Sequence, residues 1–345
     1  MRSKFSRGVL RNAAMVFAIF MLSNGPAGAV DKRIIAHRGA SGYLPEHTLA
    51  AKAMAYGLGA DFIEQDVVLT RDNVPIVLHD IHLDTTTDVA ERFAGRKRED
   101  GRYYAIDFSL AEIRTLRVHE RVDQQTGKPA FAGRFPQGKS AFGIATLSEE
   151  IELIQGLNRS TGRDVGIFPE IKAPEFHHAE GRDLARIVVD LLAAYGYREK
   201  SDKVIIQCFD WAETKRIRSE LGYQGRLAQL LGENRWEISP ATDYDVLKTP
   251  AGLAEIARVA DGIGPWINQI VTGRAADGTF ELTSLVADAK AAGLTVYPYT
   301  ARADALPKWA GDMDDVLTAI LLQAGADGVF TDFTDKAVEF LKARR

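Results

Sequence analysis

Glu64 and Asp66 stand two residues apart in the run Phe62-Ile63-Glu64-Gln65-Asp66-Val67. In a strand that spacing turns both carboxylates to one face and Ile63 and Val67 to the other. Two carboxylates side by side repel unless a cation or a proton lies between them. Hard oxygen donors of this kind suit Ca²⁺ or Mg²⁺. The spacing recurs in Gly166-Ile167-Phe168-Pro169-Glu170-Ile171-Lys172, which offers Glu170 as a third ligand and Lys172 as a cation for an anionic substrate. A plain Glu–Lys ion pair is the simpler alternative there. Ile34-Ile35-Ala36-His37-Arg38-Gly39 ends another apolar run with a titratable ring, a planar guanidinium that fits phosphate, and a glycine that admits close approach. His79-Asp80 supplies a second histidine. Two histidines beside a cation site suit phosphodiester hydrolysis: one takes a proton from the nucleophile, the other gives one to the leaving oxygen. One ring must then be neutral and the other protonated, so the rate is expected to be bell-shaped in pH.

These groups converge only if their strands end at one mouth. Apolar runs at 33–37, 61–69, 75–79, 164–171, 203–208, 226–231, 261–264, 294–299 and 327–331 alternate with amphipathic helical stretches, the pattern of a parallel α/β fold. Nine runs exceed a (β/α)₈ TIM barrel by one. The turn Thr70-Arg71-Asp72-Asn73 is too short for a parallel crossover. Residues 75–79 are therefore expected to fold back on 61–69 as a hairpin, returning His79 to Glu64 and Asp66. Residues 81–146 break the rhythm with charge, glycine and aromatics, and read as an inserted subdomain or lid shaping the leaving-group side of the pocket. His119, His177 and His178 read as packing residues, and His47 and His82 are left unassigned.

The chain has 345 residues, 46% of them hydrophobic and 26% charged, enough for a large globular core. Residues 1–29 differ. Arg2, Lys4, Arg7 and Arg11 precede an apolar run at 13–22, and Ala27-Gly28-Ala29 offers small residues for cleavage. This reads as a secretory signal peptide removed after Ala29, since a spanning helix needs about twenty apolar residues. Removing those four positive charges from a net charge of −4 leaves −8. An acidic surface argues against nucleic acid, and no membrane insertion is expected after cleavage. Cys208 is the only cysteine, so no internal disulfide is expected, and its apolar setting predicts a buried, inert thiol.

In order, His37-Arg38-Gly39, Pro45-Glu46, Glu64-Gln65-Asp66, His79-Asp80, Glu170-Ile171-Lys172, Gln207-Cys208-Phe209, Tyr299-Thr300 and Gly325-Ala326-Asp327-Gly328-Val329-Phe330-Thr331-Asp332 resemble the glycerophosphodiester phosphodiesterase family. The stretches Gly42-Tyr43-Leu44-Pro45-Glu46-His47-Thr48 and Gly133-Arg134-Phe135-Pro136 are similar to its periplasmic, calcium-dependent branch. The resemblance implies a TIM barrel over 30–345 with an insertion at 81–146. It implies hydrolysis of deacylated phospholipids to an alcohol and sn-glycerol 3-phosphate. It assigns Glu64, Asp66 and Glu170 to one divalent cation, Ca²⁺ before Mg²⁺, and His37 and His79 to acid–base work. Arg38 and Lys172 would hold phosphate, with Glu46, Phe209 and Tyr299 on the substrate side. Two positions depart from the common pattern: His47 stands where the family usually has Asn, and Tyr299 where many relatives have Trp. The implied partner is a small glycerophosphodiester. Lysophospholipid, a glycerol-phosphate wall polymer, and a non-catalytic binding role on the same barrel are the competing readings, and a homodimer is left open.

Overall fold

The computed structural model describes Met1 and residues 32–344; the rest of the expected signal peptide lies outside the described residues. Eleven strands are found there: β1 (Arg33–Ala36), β2 (Phe62–Leu69), β3 (Pro75–Val77), β4 (Gly166–Ile171), β5 (Ile205–Cys208), β6 (Arg226–Leu231), β7 (Gly262–Pro265), β8 (Val271–Arg274), β9 (Phe280–Leu282), β10 (Thr295–Val296) and β11 (Gly328–Thr331). Eight are parallel in the order β11-β1-β2-β4-β5-β6-β7-β10. The ring closes through backbone bonds between the segments of its two end strands, β10 and β11: Asp327 N–H to Val296 O and Phe330 N–H to Pro298 O, each 2.9 Å. β10 is shorter than its apolar run because Pro298 has no N–H for a ladder.

The extra run is the expected hairpin. β3 pairs antiparallel with β2, Val67 opposite Val77 and Leu69 opposite Pro75, and Leu78 N–H still donates to Asp66 O at 2.9 Å. A second hairpin, β8–β9, has no counterpart in the sequence reading; its strands are short and largely exposed, so little apolar alternation marks them.

Alternation on each strand divides two layers. Ile35, Phe62, Phe168, Ile205, Ala228, Tyr297 and Phe330 fill the barrel. Ile63 and Val67 point the other way, into the layer shared with the helices. Each such buried large side chain stabilises by about 1.5–3 kcal/mol. Because Phe62 points inward, so do Glu64 and Asp66 two and four residues on.

The turn after β1 needs its glycine. Gly39 has φ +88°, and a Cβ there would lie 2.8 Å from the Ala51 carbonyl carbon. Without a side chain the strand end tucks against the helix Leu49–Leu58, which Thr48 caps by accepting from Ala51 N–H.

Residues 81–146 carry a core of their own. Leu83, Val89, Tyr103, Phe108 and Ile113 pack on Val68, Ile76 and Leu78 of the β2–β3 hairpin. Helices there are short, such as Leu110–Ile113 behind its Ser109–Glu112 capping box.

Candidate active site

The C-terminal ends of the barrel strands open into a cleft of ≈ 400 Å³. Its polar part holds His37, Arg38, Glu64, Asp66, His79, Glu170 and Lys172. β1 ends one residue before His37, β2 carries Glu64 and Asp66, β4 carries Glu170, and the chain leaving β3 delivers His79. This is the end of the fold at which barrel ligands bind.

Glu64, Asp66 and Glu170 are all buried, and one carboxylate oxygen from each lies within 4.8 Å of the others. Burial, then the repulsion of Asp66 and Glu170, pushes the Glu64 carboxyl well above its ordinary range. Burial does the same to Glu170, up to about 8, against the pull of Lys172 Nζ at 2.7 Å. Burial opposes ionisation of Asp66 too, but Lys172, His79 and His47 hold its carboxyl well below its ordinary range. Asp66 Oδ1 is buried and accepts no hydrogen bond. Three converging hard oxygens, one of them orphaned, fit a divalent cation that would replace the protons this repulsion demands. A second acidic group, His178, Asp183 and Glu213, lies elsewhere, and Arg216 already pairs with both of its carboxylates.

Each cleft histidine leans on an aspartate. His37 Nδ1 is 2.6 Å from Asp332 Oδ1, and His79 Nδ1 is 2.6 Å from Asp80 Oδ1. In each ring Nε2 remains for the cleft, that of His37 3.7 Å from Glu64 Oε2. Burial, then Arg38, holds both rings down to about pKa 4 against the pull of their aspartates; Lys172 adds to the effect at His79. Both imidazoles are therefore neutral near pH 7 in the substrate-free site.

Arg38 sits at φ +60°, so its backbone N–H reaches Glu64 Oε2 at 2.9 Å. Its Nη1 donates to both Glu46 oxygens at 3.1 and 3.0 Å, while Nε is buried without a hydrogen-bond partner. Glu46 does not line the cleft; Arg121 takes the same two oxygens from the other side, at 3.0 and 2.7 Å. Phe209 and Tyr299 do line it, edge to face with centroids 5.7 Å apart, and Lys172 Nζ lies 5.8 Å from the Phe209 ring centre. The plain ion-pair reading of Glu170 and Lys172 is thus also realised, but inside the cleft.

Sequence reasoning left several participants unassigned. Asp80 and Asp332 stood in the quoted runs without a role, as did Gln207, whose Nε2 donates to Glu64 Oε1 at 3.0 Å. Trp266 follows the end of β7, a position where cleft residues are expected. Trp236 lies in a single turn after β6 and carries no sequence signal. The insertion is placed differently from expectation: no residue of 81–146 lines the cleft. Its apolar residues pack on the β2–β3 hairpin, and it reaches the site through Arg121 and Arg134, which bind Asp80 and Asp332. His177 packs as expected, accepting from Leu69 N–H and holding the Ala173 carbonyl. Cys208 is buried, and burial raises its thiol well above the ordinary value.

The chain is similar to known proteins over nearly its whole length. A glycerophosphodiester phosphodiesterase of Haemophilus influenzae is 46% identical over 328 residues, 90% of each chain. One from Treponema pallidum is 39% identical over 331 residues, 91% of this chain and 92% of the relative. Among solved structures, a glycerophosphodiester phosphodiesterase of Agrobacterium tumefaciens superposes with a TM-score of 0.59 at 21% identity, covering 89% of this chain and 99% of the other. An Oleispira antarctica phosphodiesterase, solved in complex with the product sn-glycerol-3-phosphate, does so at 0.60 and 21%, covering 90% and 96%. Residues 37–336 match the model of the glycerophosphoryl diester phosphodiesterase family, and the chain belongs to that family.

Proposed function

We propose that this enzyme cleaves glycerophosphodiesters to an alcohol and sn-glycerol 3-phosphate with one divalent cation, Ca²⁺, and a pair of histidines. The carrying observation is the placement of two Asp-backed imidazoles, His37 and His79, around the carboxylate trio Glu64, Asp66 and Glu170. The product held by the similar Oleispira antarctica enzyme supports the substrate class.

Glu64, Asp66 and Glu170 hold the cation. Three protein carboxylates favour Ca²⁺, since Mg²⁺ keeps most of its waters and takes one or two. When bound, the ion supplies positive charge against the phosphate oxygens. Arg38, with its orphaned Nε, and Lys172 bind the phosphate, and Glu46 serves by orienting Arg38. Phe209 and Tyr299 pack against the organic part of the substrate. One imidazole accepts a proton at Nε2 from the nucleophile as its oxygen bonds phosphorus, and the other donates one from Nε2 to the alcohol oxygen whose bond to phosphorus breaks; one water is consumed overall. The donor must be protonated first. Beyond burial, the charge of Arg38 holds both rings down and that of Lys172 adds to it at His79; an arriving phosphodiester anion partly offsets these charges, which favours the imidazolium of one. The basic leader and small-residue site support export, with the periplasm as destination.

The test is glycerol 3-phosphate release by chelated and dialysed enzyme, then with Ca²⁺ or Mg²⁺ restored. Activity should vanish and return best with Ca²⁺. Full activity in excess chelator overturns the reading.

A further inference from the structure

The two His–Asp pairs share a feature. In each, the aspartate oxygen not facing the histidine is held by an arginine of the segment 81–146. Arg121 Nη1 donates to Asp80 Oδ2 at 2.6 Å, while Asp80 Oδ1 faces His79 Nδ1. Arg134 Nη2 donates to Asp332 Oδ2 at 2.7 Å, while Asp332 Oδ1 faces His37 Nδ1. We infer that Arg121 and Arg134 are positioning residues through which the inserted subdomain fixes the orientation and tautomer of both cleft histidines. The inference rests on the acid–base reading of His37 and His79.

A carboxylate with one oxygen on an imidazole N–H and the other on a guanidinium cannot turn. Its histidine must keep the proton on Nδ1, which leaves Nε2 aimed at the cleft. Both arginines are themselves fixed. Arg121 bridges Asp80 to Glu46 and so also steadies Arg38 through that carboxylate. The Arg134 side chain is only 4% exposed; it pairs with Asp304 at 2.8 Å and lies 3.6 Å from the Phe131 ring centre. A segment that contributes no residue to the cleft wall thus touches both ends of the proposed proton path.

The two arginines are not equivalent. Asp332 Oδ2 has a second guanidinium, Arg302 Nε at 2.7 Å, which belongs to the barrel. Asp80 Oδ2 has only the weaker Thr85 hydroxyl at 3.0 Å besides Arg121. Loss of Arg121 should therefore cost more than loss of Arg134.

The experiment compares full-length Arg121→Gln, Arg121→Lys and Arg134→Gln with the parent enzyme, alongside His37→Ala and His79→Ala. Arg121→Gln should lower kcat by about 10- to 100-fold, the scale of slight misplacement of reacting groups, and also raise KM through the loosened Glu46–Arg38 pair, whereas Arg134→Gln should lower kcat by less with KM unchanged. Long-range ¹H–¹⁵N correlation of histidine-labelled protein should show His79 as a single Nδ1–H tautomer in the parent and a mixture in Arg121→Gln. Arg121→Lys keeps the charge but cannot bridge Asp80 and Glu46, so it should show the same shift if the glutamine variant does not fold. A folded Arg121 variant with parental kcat, or with kcat lowered while His79 stays purely Nδ1–H, overturns the inference. Substantial activity in both His→Ala variants instead overturns the acid–base reading beneath it.

Discussion

Lys52 Nζ stands 3.1 Å from Nδ1 of His47, where neither residue is more than 3% exposed. An ammonium only donates, so Nδ1 accepts and the ring proton is on Nε2, donated to Asp66 Oδ2 at 2.8 Å. Burial, then Lys52, holds the His47 ring down to about pKa 3, in keeping with a neutral donor. Glu150 meets the charge of Lys52 at 3.1 Å, and the Glu64 carbonyl accepts from the same ammonium. One oxygen of Asp66 is thereby covered, and Oδ1 is left for a cation.

His47→Ala should weaken Ca²⁺ binding by about 10- to 100-fold, the usual cost of losing a partner behind a metal ligand. Lys52→Met should in addition destabilise the fold by about 3–5 kcal/mol, because Glu150 loses its buried partner. Titration calorimetry on metal-stripped protein reads the first effect and denaturant melts the second. Unchanged Ca²⁺ affinity in His47→Ala would show that Asp66 needs no such support.

His79 is expected to be the acid. Its variant His79→Ala should lose roughly a hundredfold or more in kcat on alkyl head groups. A nitrophenyl ester leaves without a proton and should recover most of that loss, whereas His37→Ala should stay slow on both substrates. The reverse pattern would exchange the two roles; no response from either variant would sink the acid–base assignment.

Glu120 gives a pH signature in stability. It is 3% exposed, its Oε2 has no hydrogen-bond partner, and burial raises its carboxyl from an ordinary 4.5 to about 7 against the pull of Arg134. The folded chain therefore holds this proton more tightly than the unfolded chain. Its contribution is fully present below pH 4.5 and drains away as pH rises to about 7. Glu120→Gln should gain on the order of 2 kcal/mol over the parent at pH 8 and little at pH 4.5. Equal differences at the two pH values in denaturant melts would refute this.

Trp236 lines the cleft and meets Trp266 edge to face, centroids 5.1 Å apart. Trp236→Ala should raise KM about two- to tenfold, the worth of one aromatic contact, with kcat held. A fall in kcat at constant KM would place Trp236 with the chemistry instead.

What the sequence discloses and what it withholds follows from distance along the chain. Strand alternation puts Glu64 and Asp66 on one face within three residues, and a four-residue turn forces the hairpin that returns His79. Both are local and both appear as expected. The pairing of His37 with Asp332 spans 295 residues and depends on β1 lying beside β11 in one register, which no local pattern states. His47 is the same case: its residue type invites a role, but only the packing of the helix Leu49–Leu58 under β2 shows that the role is Asp66. The insertion fails differently. Its place after His79 suggests the cleft wall, yet its apolar residues find their partners on the outer side of the hairpin.

Since no cleft-lining residue comes from 81–146, recognition and chemistry have separate addresses in this chain. Phe209, Leu230, Trp236, Trp266 and Tyr299 all follow or belong to the neighbouring strands β5, β6, β7 and β10, whereas the histidines, the carboxylate trio and both supporting arginines come from the rest of the molecule. Head-group taste can thus drift by loop substitution on one side of the barrel while the proton-handling apparatus stays untouched. A library confined to that side is the natural place to redirect the enzyme toward new alcohols.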